Sequence, residues 1–305
     1  MLENVKEASD AAATTAKTFI RVTEVWVPDE ADGRLKRAGG LYGDLTEFEA
    51  VSGKEIFALG EGLPGKAWAE QKPIVLKGFR GSYFKRTDAA EAAGLTAGIA
   101  MPVFAGSRLT AVVTFLFGDD SEHVGAVEVW APGEDPSGPL ALQDGYFGTA
   151  DHFAWISRHT RFPKGMGLPG KTWESGRPKL FHDLGISHRF LRSDSAADAG
   201  MTAGLGLPVS APSGDTHIVT LLSALGTPIA RQFEIWSLTG DGYFTVSDGV
   251  PDRLPPSARV TPGEGILGTV AATGVPVATG EPGSAIVAIP IHRNGKVTDI
   301  AAWYF

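Results

Sequence analysis

The sequence predicts an α+β protein in which one structural unit occurs three times. Trp26, Trp130 and Trp236 recur about 105 residues apart, within the similar segments VTEVWVP, AVEVWAP and QFEIWSL. GLPGKAWAEQKP at 62–73 and GLPGKTWESGRP at 167–178 follow the first two tryptophans and are identical at seven of twelve positions. A recurrence at a constant period indicates a repeated fold, so each motif must be interpreted as part of that fold.

Each predicted unit begins with a strand and continues with a turn and a short helix. Apolar and acidic residues alternate around each tryptophan, which predicts a half-buried strand. In the segment that follows, glycine supplies unusual dihedral angles and proline fits the first helical turn. Leu63 and Leu168 are expected to anchor this helix on the sheet, together with Trp68 and Trp173. A weaker third copy, GILGTVAATGVP, covers 265–276.

A short strand, a second short helix and two closing strands complete the predicted unit. FKRTDAAEAAGLTAG at 84–98 matches FLRSDSAADAGMTAG at 190–204 in order and spacing, and apolar segments follow both. Pro276 and Pro290 are 14 residues apart, against 29 and 30 for the corresponding prolines of the first two copies. The third unit therefore lacks the FxRxD segment.

These segments predict the boundaries of the domains. We divide the chain into an alanine-rich N-terminal helix (1–19), unit one (20–118), unit two (119–226) and a shortened unit three (227–305). About ten residues join neighbouring units, too few for a helix that packs between them. Neighbouring units are therefore expected to be joined strand to strand, and pairing of strands across units is left open.

Composition excludes several classes of protein. The chain has no cysteine, which rules out disulfides, Cys-ligated metal sites and thiol catalysis. A net charge of -8 without a basic stripe argues against nucleic acid as a partner. The longest apolar runs fall short of the roughly 20 residues of a membrane helix, and the acidic N-terminus is unlike a secretory signal. We expect a cytoplasmic protein that is not bound to a membrane.

The combined order of the motifs resembles the GAF domain of bacterial signalling proteins. VEVWxP, GxGLPGKxW and FxRxDAAxxAGxTAG succeed one another through nearly all of units one and two, and about half of the pattern remains in unit three. The resemblance implies an antiparallel sheet with helices on one face and a ligand cavity on the other. It also implies a regulatory role in signal transduction, as a binding or dimerisation module, although we expect no kinase, cyclase or DNA-binding segment after Phe305.

Departures from the family narrow the predicted function. Bilin-binding members attach their pigment through cysteine, and free methionine-R-sulfoxide reductases of this fold need a catalytic cysteine; this chain contains none. The Asn-Lys-x-Phe-Asp-Glu pattern of cyclic-nucleotide-binding members also has no match. We therefore expect no cofactor and no catalytic function.

The resemblance places the FxRxD segment beside the ligand cavity. The residues expected to contact a ligand are Phe84, Arg86 and Trp68 in unit one, and Phe190, Arg192 and Trp173 in unit two. Two alternatives stay open. Each arginine can instead form an ion pair with its neighbour Asp88 or Asp194, or bind a helix end, and each tryptophan can belong to the core.

A nucleotide-binding enzyme is a further alternative, because GMGLPGKT at 165–172 fits a phosphate-binding loop. In that case Lys171 would bind phosphates and Thr172 would bind magnesium. Pro169 removes a backbone donor from the loop, however, and the first copy has Ala67 at the position of the hydroxyl. A helix of under about ten residues after Lys171 would exclude this enzyme.

The remaining predictions concern metals and partners. His182 and His188 stand six residues apart without a third ligand, so we expect no metal site. The sequence favours a non-catalytic protein that binds a small molecule in unit one or two, or a protein partner or second copy of itself. The alternative is a ligand-free scaffold whose units pack on one another or self-associate, and cavities filled by side chains in both complete units would favour it.

Overall fold

The computed structural model describes residues 17–118, 122–185, 190–249, 258–280 and 285–305. They form three antiparallel sheets of six strands, each built from one continuous stretch of the chain. Counted within its own sheet, the strand order is 3-2-1-6-5-4 in all three. The predicted α+β class with antiparallel sheets and short helices is confirmed. No helix among the described residues is long and apolar enough to cross a membrane.

The elements follow the same order in each unit. Unit one contains β1 (Val22–Pro28), β2 (Leu35–Leu41), α1 (Thr46–Ser52), β3 (Ile56–Phe57), α2 (Gly62–Glu70), β4 (Ile74–Leu76), α3 (Thr87–Ala92), β5 (Ala97–Ala105) and β6 (Arg108–Phe117). Unit two contains β7 (Gly125–Pro132), β8 (Leu140–Tyr146), α4 (Asp151–His159), β9 (Arg161–Phe162), α5 (Gly167–Ser175), β10 (Lys179–Phe181), α6 (Ser193–Asp198), β11 (Met201–Ser210) and β12 (Thr216–Ala224). Unit three contains β13 (Gln232–Leu238), β14 (Phe244–Gly249), β15 (Arg259–Val260), α7 (Gly265–Thr273), β16 (Val277–Thr279), β17 (Ile286–Arg293) and β18 (Lys296–Tyr304).

The predicted N-terminal helix falls on residues that are mostly outside the described part of the chain. Its last predicted positions, residues 17–19, are described and are not helical. Phe19 instead packs its ring against Phe117, with the ring centroids 4.7 Å apart. The start of the described chain therefore belongs to the core of the three units.

One face of every sheet packs into a single apolar core that all three units share. The Phe115 ring of unit one lies 5.9 Å from that of Trp303 in unit three, and Phe117 stacks on Tyr146 of unit two at 5.8 Å. Each sheet takes its hydrogen-bonded strands from one unit, so the described units meet face to face and do not pair strand to strand. We therefore expect the three units to unfold together.

The opposite face of each sheet carries the helices and a smaller apolar core of its own. Since both faces are covered, the first strand of each unit is buried on both sides, and the predicted half-buried strand is wrong. Glu24 and Glu128 have no exposed surface. A buried carboxylate must be compensated by charge or hydrogen bonds, and this requirement locates the polar site described below.

Equivalent segments of the three units also meet one another. Pro102, Pro208 and Pro290 and their neighbours on β5, β11 and β17 line a shared cavity there. Its volume is only about 30 Å³, enough for one or two water molecules and too little for an organic ligand.

Candidate functional site

The arginines of the FxRxD segments are buried and paired with glutamates of the first strands. Two guanidinium nitrogens of Arg86 face the two carboxylate oxygens of Glu24, with Nη2 3.0 Å from Oε2, and Nη1 also donates to Ser52 Oγ at 2.5 Å. Arg192 binds Glu128 in the same way, with Nη2 2.9 Å from Oε2. The alternative that each arginine forms an ion pair is therefore confirmed, but the partners predicted for it, Asp88 and Asp194, are wrong.

The Glu24 carboxylate is held by several donors besides the guanidinium. Tyr42 Oη and Thr114 Oγ1 each donate to it at 2.9 Å, and Trp26 Nε1 donates at 3.2 Å. Burial by itself raises the pKa of Glu24, but the Arg86 charge and these hydrogen bonds outweigh burial and hold the pKa below its ordinary value. The carboxylate is thus ionised and fully partnered inside the protein.

Unit two repeats this carboxylate shell with the same number of donors, but a serine hydroxyl replaces that of the tyrosine. Ser157, Thr220 and Trp130 donate to Glu128, with distances of 2.8 to 3.1 Å. Phe147 stands at the position of Tyr42 and has no hydroxyl. Burial again raises the pKa of Glu128, and the Arg192 charge and hydrogen bonds lower it below its ordinary value.

Aromatic rings close around each guanidinium. The Arg86 guanidinium carbon lies 4.9 to 5.9 Å from the ring centroids of four residues, and the equivalent distances for Arg192 are 4.6 to 5.4 Å. The rings are those of Trp26, Phe48, Phe57 and Phe84 in unit one and Trp130, Phe153, Phe162 and Phe190 in unit two. Because a cation is attracted to the face of an aromatic ring, this arrangement stabilises the buried charge. The arginine thereby occupies the space between the sheet and its helices.

Unit three keeps the carboxylate without a described cation. Glu234 accepts hydrogen bonds from Trp236 Nε1 at 3.0 Å and Tyr304 Oη at 2.7 Å, and Gln232 Nε2 donates at 2.8 Å. The segment that carries the arginine in the other units is missing here, as the sequence predicted. Neutral donors therefore replace the guanidinium.

Phe84 and Phe190, two of the predicted ligand contacts, are buried, and each lies beside the arginine of its own unit. Phe84 stacks on Phe79 at 3.9 Å between centroids. The predicted tryptophans lie on helices α2 and α5 and are half-buried against the local cores. Lys164 Nζ stands 4.5 Å from the Trp173 ring centroid. Contact of these six side chains with a ligand stays a prediction.

The glycine-rich segment forms the same turn in all three units. The Gly60 amide donates to the Gly65 carbonyl, Gly165 to Gly170 and Gly263 to Gly268, at 2.6 to 2.9 Å. A Cβ added to Gly65 would stand 2.1 Å from the Ala58 carbonyl oxygen. The segment recurs because this close approach requires glycine in every unit.

A phosphate-binding loop is incompatible with the same segment of unit two. Helix α5 ends at Ser175, four residues after Lys171. Thr172 is buried and its Oγ1 donates to the Leu168 carbonyl at 2.9 Å, while the amide of Gly165 is used within the turn. The nucleotide-using alternative is therefore wrong.

No group of three or more metal-ligating side chains occurs among the residues that the structure describes. His188 lies outside those residues, so the predicted absence of a site at His182 and His188 stays a prediction.

An open cleft lies on unit two, beside the end of α6. It is lined by residues 123–125, 147–153, 195, 198 and 199 and has a volume of about 360 Å³. Phe147 and Phe153 give it an apolar wall, and Asp151 and Asp198 contribute exposed carboxylates. The sequence analysis missed this cleft, since only three of its lining residues, Ser195, Asp198 and Ala199, belong to a motif that units one and two share. A position-by-position comparison of the two copies, searching for differences, would have found it.

Sequence reasoning also missed the glutamates that bind the arginines. The available signal was the repetition of Glu-x-Trp in Glu24–Trp26, Glu128–Trp130 and Glu234–Trp236. An acidic residue that recurs two positions before a large buried aromatic lies on the same face of the strand as that aromatic, which predicts a buried carboxylate.

No family model matches the chain, and no curated protein matches it. Part of the chain is similar to the NreA protein of Staphylococcus aureus mutated in its nitrate binding site, with 17% identity over 36% of this chain and 82% of that chain and a TM-score of 0.28. Part is similar to the GAF domain of a phosphoenolpyruvate-protein phosphotransferase from Coxiella burnetii, with 15% identity over 32% of this chain and 56% of that chain and a TM-score of 0.28. Free methionine-R-sulfoxide reductase from Neisseria meningitidis is similar with 15% identity over 32% of this chain and 52% of that chain and a TM-score of 0.26. Similarity at this level identifies neither a family nor a function, so the arguments below rest on the geometry of the chain.

Proposed function

We propose that the chain is a non-catalytic regulatory protein of three GAF-like units, in which the unit-two cleft binds a small molecule. The observation that carries the proposal is the cleft itself. Its volume of about 360 Å³ falls in the range of small-molecule sites, and an apolar wall with a few polar groups is typical of them. The corresponding region of unit one is occupied by the chain's own Arg21, which favours unit two as the binding unit.

In this proposal the buried arginines position the cleft and need not contact the ligand. Arg192 precedes α6 directly and is held by Glu128, while the last residues of α6 line the cleft. Ser195 Oγ, which also lines the cleft, donates to the Arg192 carbonyl at 3.1 Å. The Arg192–Glu128 pair thus links the sheet to the wall of the cleft.

The test is a thermal-shift screen of the full chain with amino acids, organic acids, organic cations, nitrate and magnesium ATP. Nitrate is included because NreA has a nitrate binding site. A ligand present at 100 times its Kd adds about 2.7 kcal/mol of stability. Because the 305 residues are expected to unfold together, this corresponds to a rise in Tm of about 4 °C.

Two matched variants locate the effect. Thr149→Trp places a large ring at an exposed position of the cleft and is expected to remove the shift. Asp44→Trp makes the same change at the equivalent exposed position of unit one and is expected to leave it. A shift that survives Thr149→Trp would contradict binding in the cleft.

A second candidate is the ligand-free scaffold. It is favoured by the shared core and by the arginines that fill the space between sheet and helices in both complete units. A screen in which no compound raises the Tm would favour this candidate over the binding protein.

A further inference from the structure

Unit one indicates what the unit-two cleft binds, because one of its own side chains occupies the corresponding place. Arg21 stands immediately before β1, and its Nη1 donates to the carbonyl oxygens of Ala93 at 2.9 Å and Gly94 at 3.1 Å. These carbonyls follow the last residue of α3. Carbonyls at a helix end lack intrahelical partners, and in unit one a guanidinium supplies the missing donor.

Unit two has the same helix end without the arginine. Val22 pairs with Leu116 and Ala126 pairs with Leu222 at equivalent places in the two sheets, so the residues that precede Val22 and Ala126 correspond as well. They are Arg21, immediately before β1, and Gly125, the first residue of β7. The difference leaves the end of α6 open.

The space around the two helix ends shows the same contrast. A Cβ built on Gly94 would stand 3.1 Å from Arg21 Nη1, whereas a Cβ built on Gly200, the equivalent of Gly94, meets no atom within 4 Å. Ala199, the equivalent of Ala93, lines the cleft. A group of the size of the Arg21 head therefore has room at this place in unit two.

The cleft has two carboxylates, as many as the equivalent positions of unit one, where Asp44 and Glu47 stand in place of Thr149 and His152, but it lacks the positive charge of Arg21. Asp198 occurs where unit one has Ala92, and Asp151 where it has Thr46. Both aspartates are exposed and line the cleft, and no lysine or arginine is among its described lining residues. Carboxylates and carbonyls only accept hydrogen bonds. We therefore expect a ligand of this cleft to donate hydrogen bonds and to carry positive charge.

We propose that the unit-two cleft binds a small organic cation whose guanidinium or primary ammonium head takes the place that Arg21 occupies in unit one. The apolar part of the ligand packs on Phe147 and Phe153, which line the same cleft. This inference rests on the proposed function and names its ligand class. The ligand is a free compound, because the cleft of about 360 Å³ has room for more than the head of one arginine side chain.

The test is calorimetric titration of the full chain with butylguanidinium and with butylurea, a neutral compound of nearly the same shape. Butylguanidinium is expected to bind at least about tenfold more tightly than butylurea, because charge-assisted hydrogen bonds are the stronger ones. Its affinity is also expected to fall as salt concentration rises. Equal binding of the two compounds would overturn the proposal.

Charge-neutralising variants assign the site. Asp151→Asn and Asp198→Asn keep the shape of the exposed side chains, and each is expected to weaken butylguanidinium binding by about two- to fivefold. Asp194→Asn is the matched control, because Asp194 is exposed on the same helix but does not line the cleft. Affinity that is unchanged in the first two variants, or reduced equally in the control, would contradict the site.

Two further measurements distinguish a free compound from a protein partner, and a cation from an anion. A peptide with one arginine that binds more tightly than butylguanidinium would assign the cleft to a protein partner and overturn the free compound. Nitrate or an organic acid that binds in a Thr149→Trp-sensitive way, while butylguanidinium does not bind, would overturn the cation and leave the proposed function standing. Failure of every compound would refute both.

Discussion

Replacement of Arg86 by leucine is expected to destabilise the protein by about 3–5 kcal/mol, because it leaves a buried carboxylate without its counter-ion. The side chains of Arg86 and Glu24 are 1% and 0% exposed, so water cannot replace the guanidinium. Tyr42 and Thr114 continue to donate to the carboxylate, which places the expected loss at the lower end of that range. The loss is expected in the unfolding of the whole chain, since the three units share a core.

The assay is urea unfolding at pH 7, followed by fluorescence, with two comparison variants. Glu24→Leu combined with Arg86→Leu removes both charges and is expected to recover part of the lost stability, because no buried charge is left unpaired, although Tyr42, Thr114 and Trp26 lose an acceptor. Arg80→Leu removes an arginine that is 83% exposed and paired with Glu91. It is expected to change the free energy of unfolding little.

The pH dependence provides an independent check. The folded-state pKa of Glu24 lies below its ordinary value of 4.5 because the Arg86 charge and hydrogen bonds outweigh burial. Its stabilising contribution is therefore complete above pH 4.5 and is lost as pH falls through the lower, folded-state pKa. Without Arg86, burial favours the protonated form, so the deficit of Arg86→Leu is expected to shrink toward pH 4. A loss below about 1 kcal/mol at pH 7, or a double variant no more stable than the single one, would refute the reasoning.

Three further predictions follow from the turn, the excluded nucleotide site and a half-buried histidine. Gly65→Ala is expected to lower the free energy of unfolding by about 1–3 kcal/mol, since its Cβ would stand 2.1 Å from a carbonyl oxygen. Gly78→Ala is the control: its Cβ meets open space, so it should leave stability nearly unchanged in the same urea assay. Magnesium ATP is expected to leave the Tm of both wild type and Lys171→Ala unchanged; a shift that Lys171→Ala abolishes would revive the phosphate-binding loop. Burial, with Arg108 nearby, lowers the pKa of His292 from 6.5 to about 4, so stability should fall as pH drops from 6.5 toward 4. His292→Asn should reduce that slope, and an unchanged slope would contradict the assignment.

The elements and their order were determined by local sequence. The turn before α2, α5 and α7 depends on glycines a few residues apart, and the strands depend on short apolar segments. Such features recur wherever the local sequence recurs, so the repeat in the sequence was enough to predict them. The shortened unit three was predicted for the same reason, because a missing segment changes spacing along the chain.

The site depended on contacts between distant residues. Arg86 and Glu24 are 62 residues apart, and Asp88 was the expected partner only because it is close in sequence. The fold covers both faces of β1, with helices on one side and the other units on the other side. That coverage buries Glu24 and makes it the group that most needs a cation.

The repeat by itself thus determined a three-unit α+β chain, with its turns, short helices and truncated last unit, because these depend on hydrogen bonds and dihedral angles within short segments. The shared core, the buried ion pairs and the open cleft were decided only by the tertiary structure. Arg21 of unit one and Gly125 of unit two occupy equivalent positions in two segments of similar sequence. The head of Arg21 reaches a helix end 72 residues away in the chain, and only the packed fold brings those two places together.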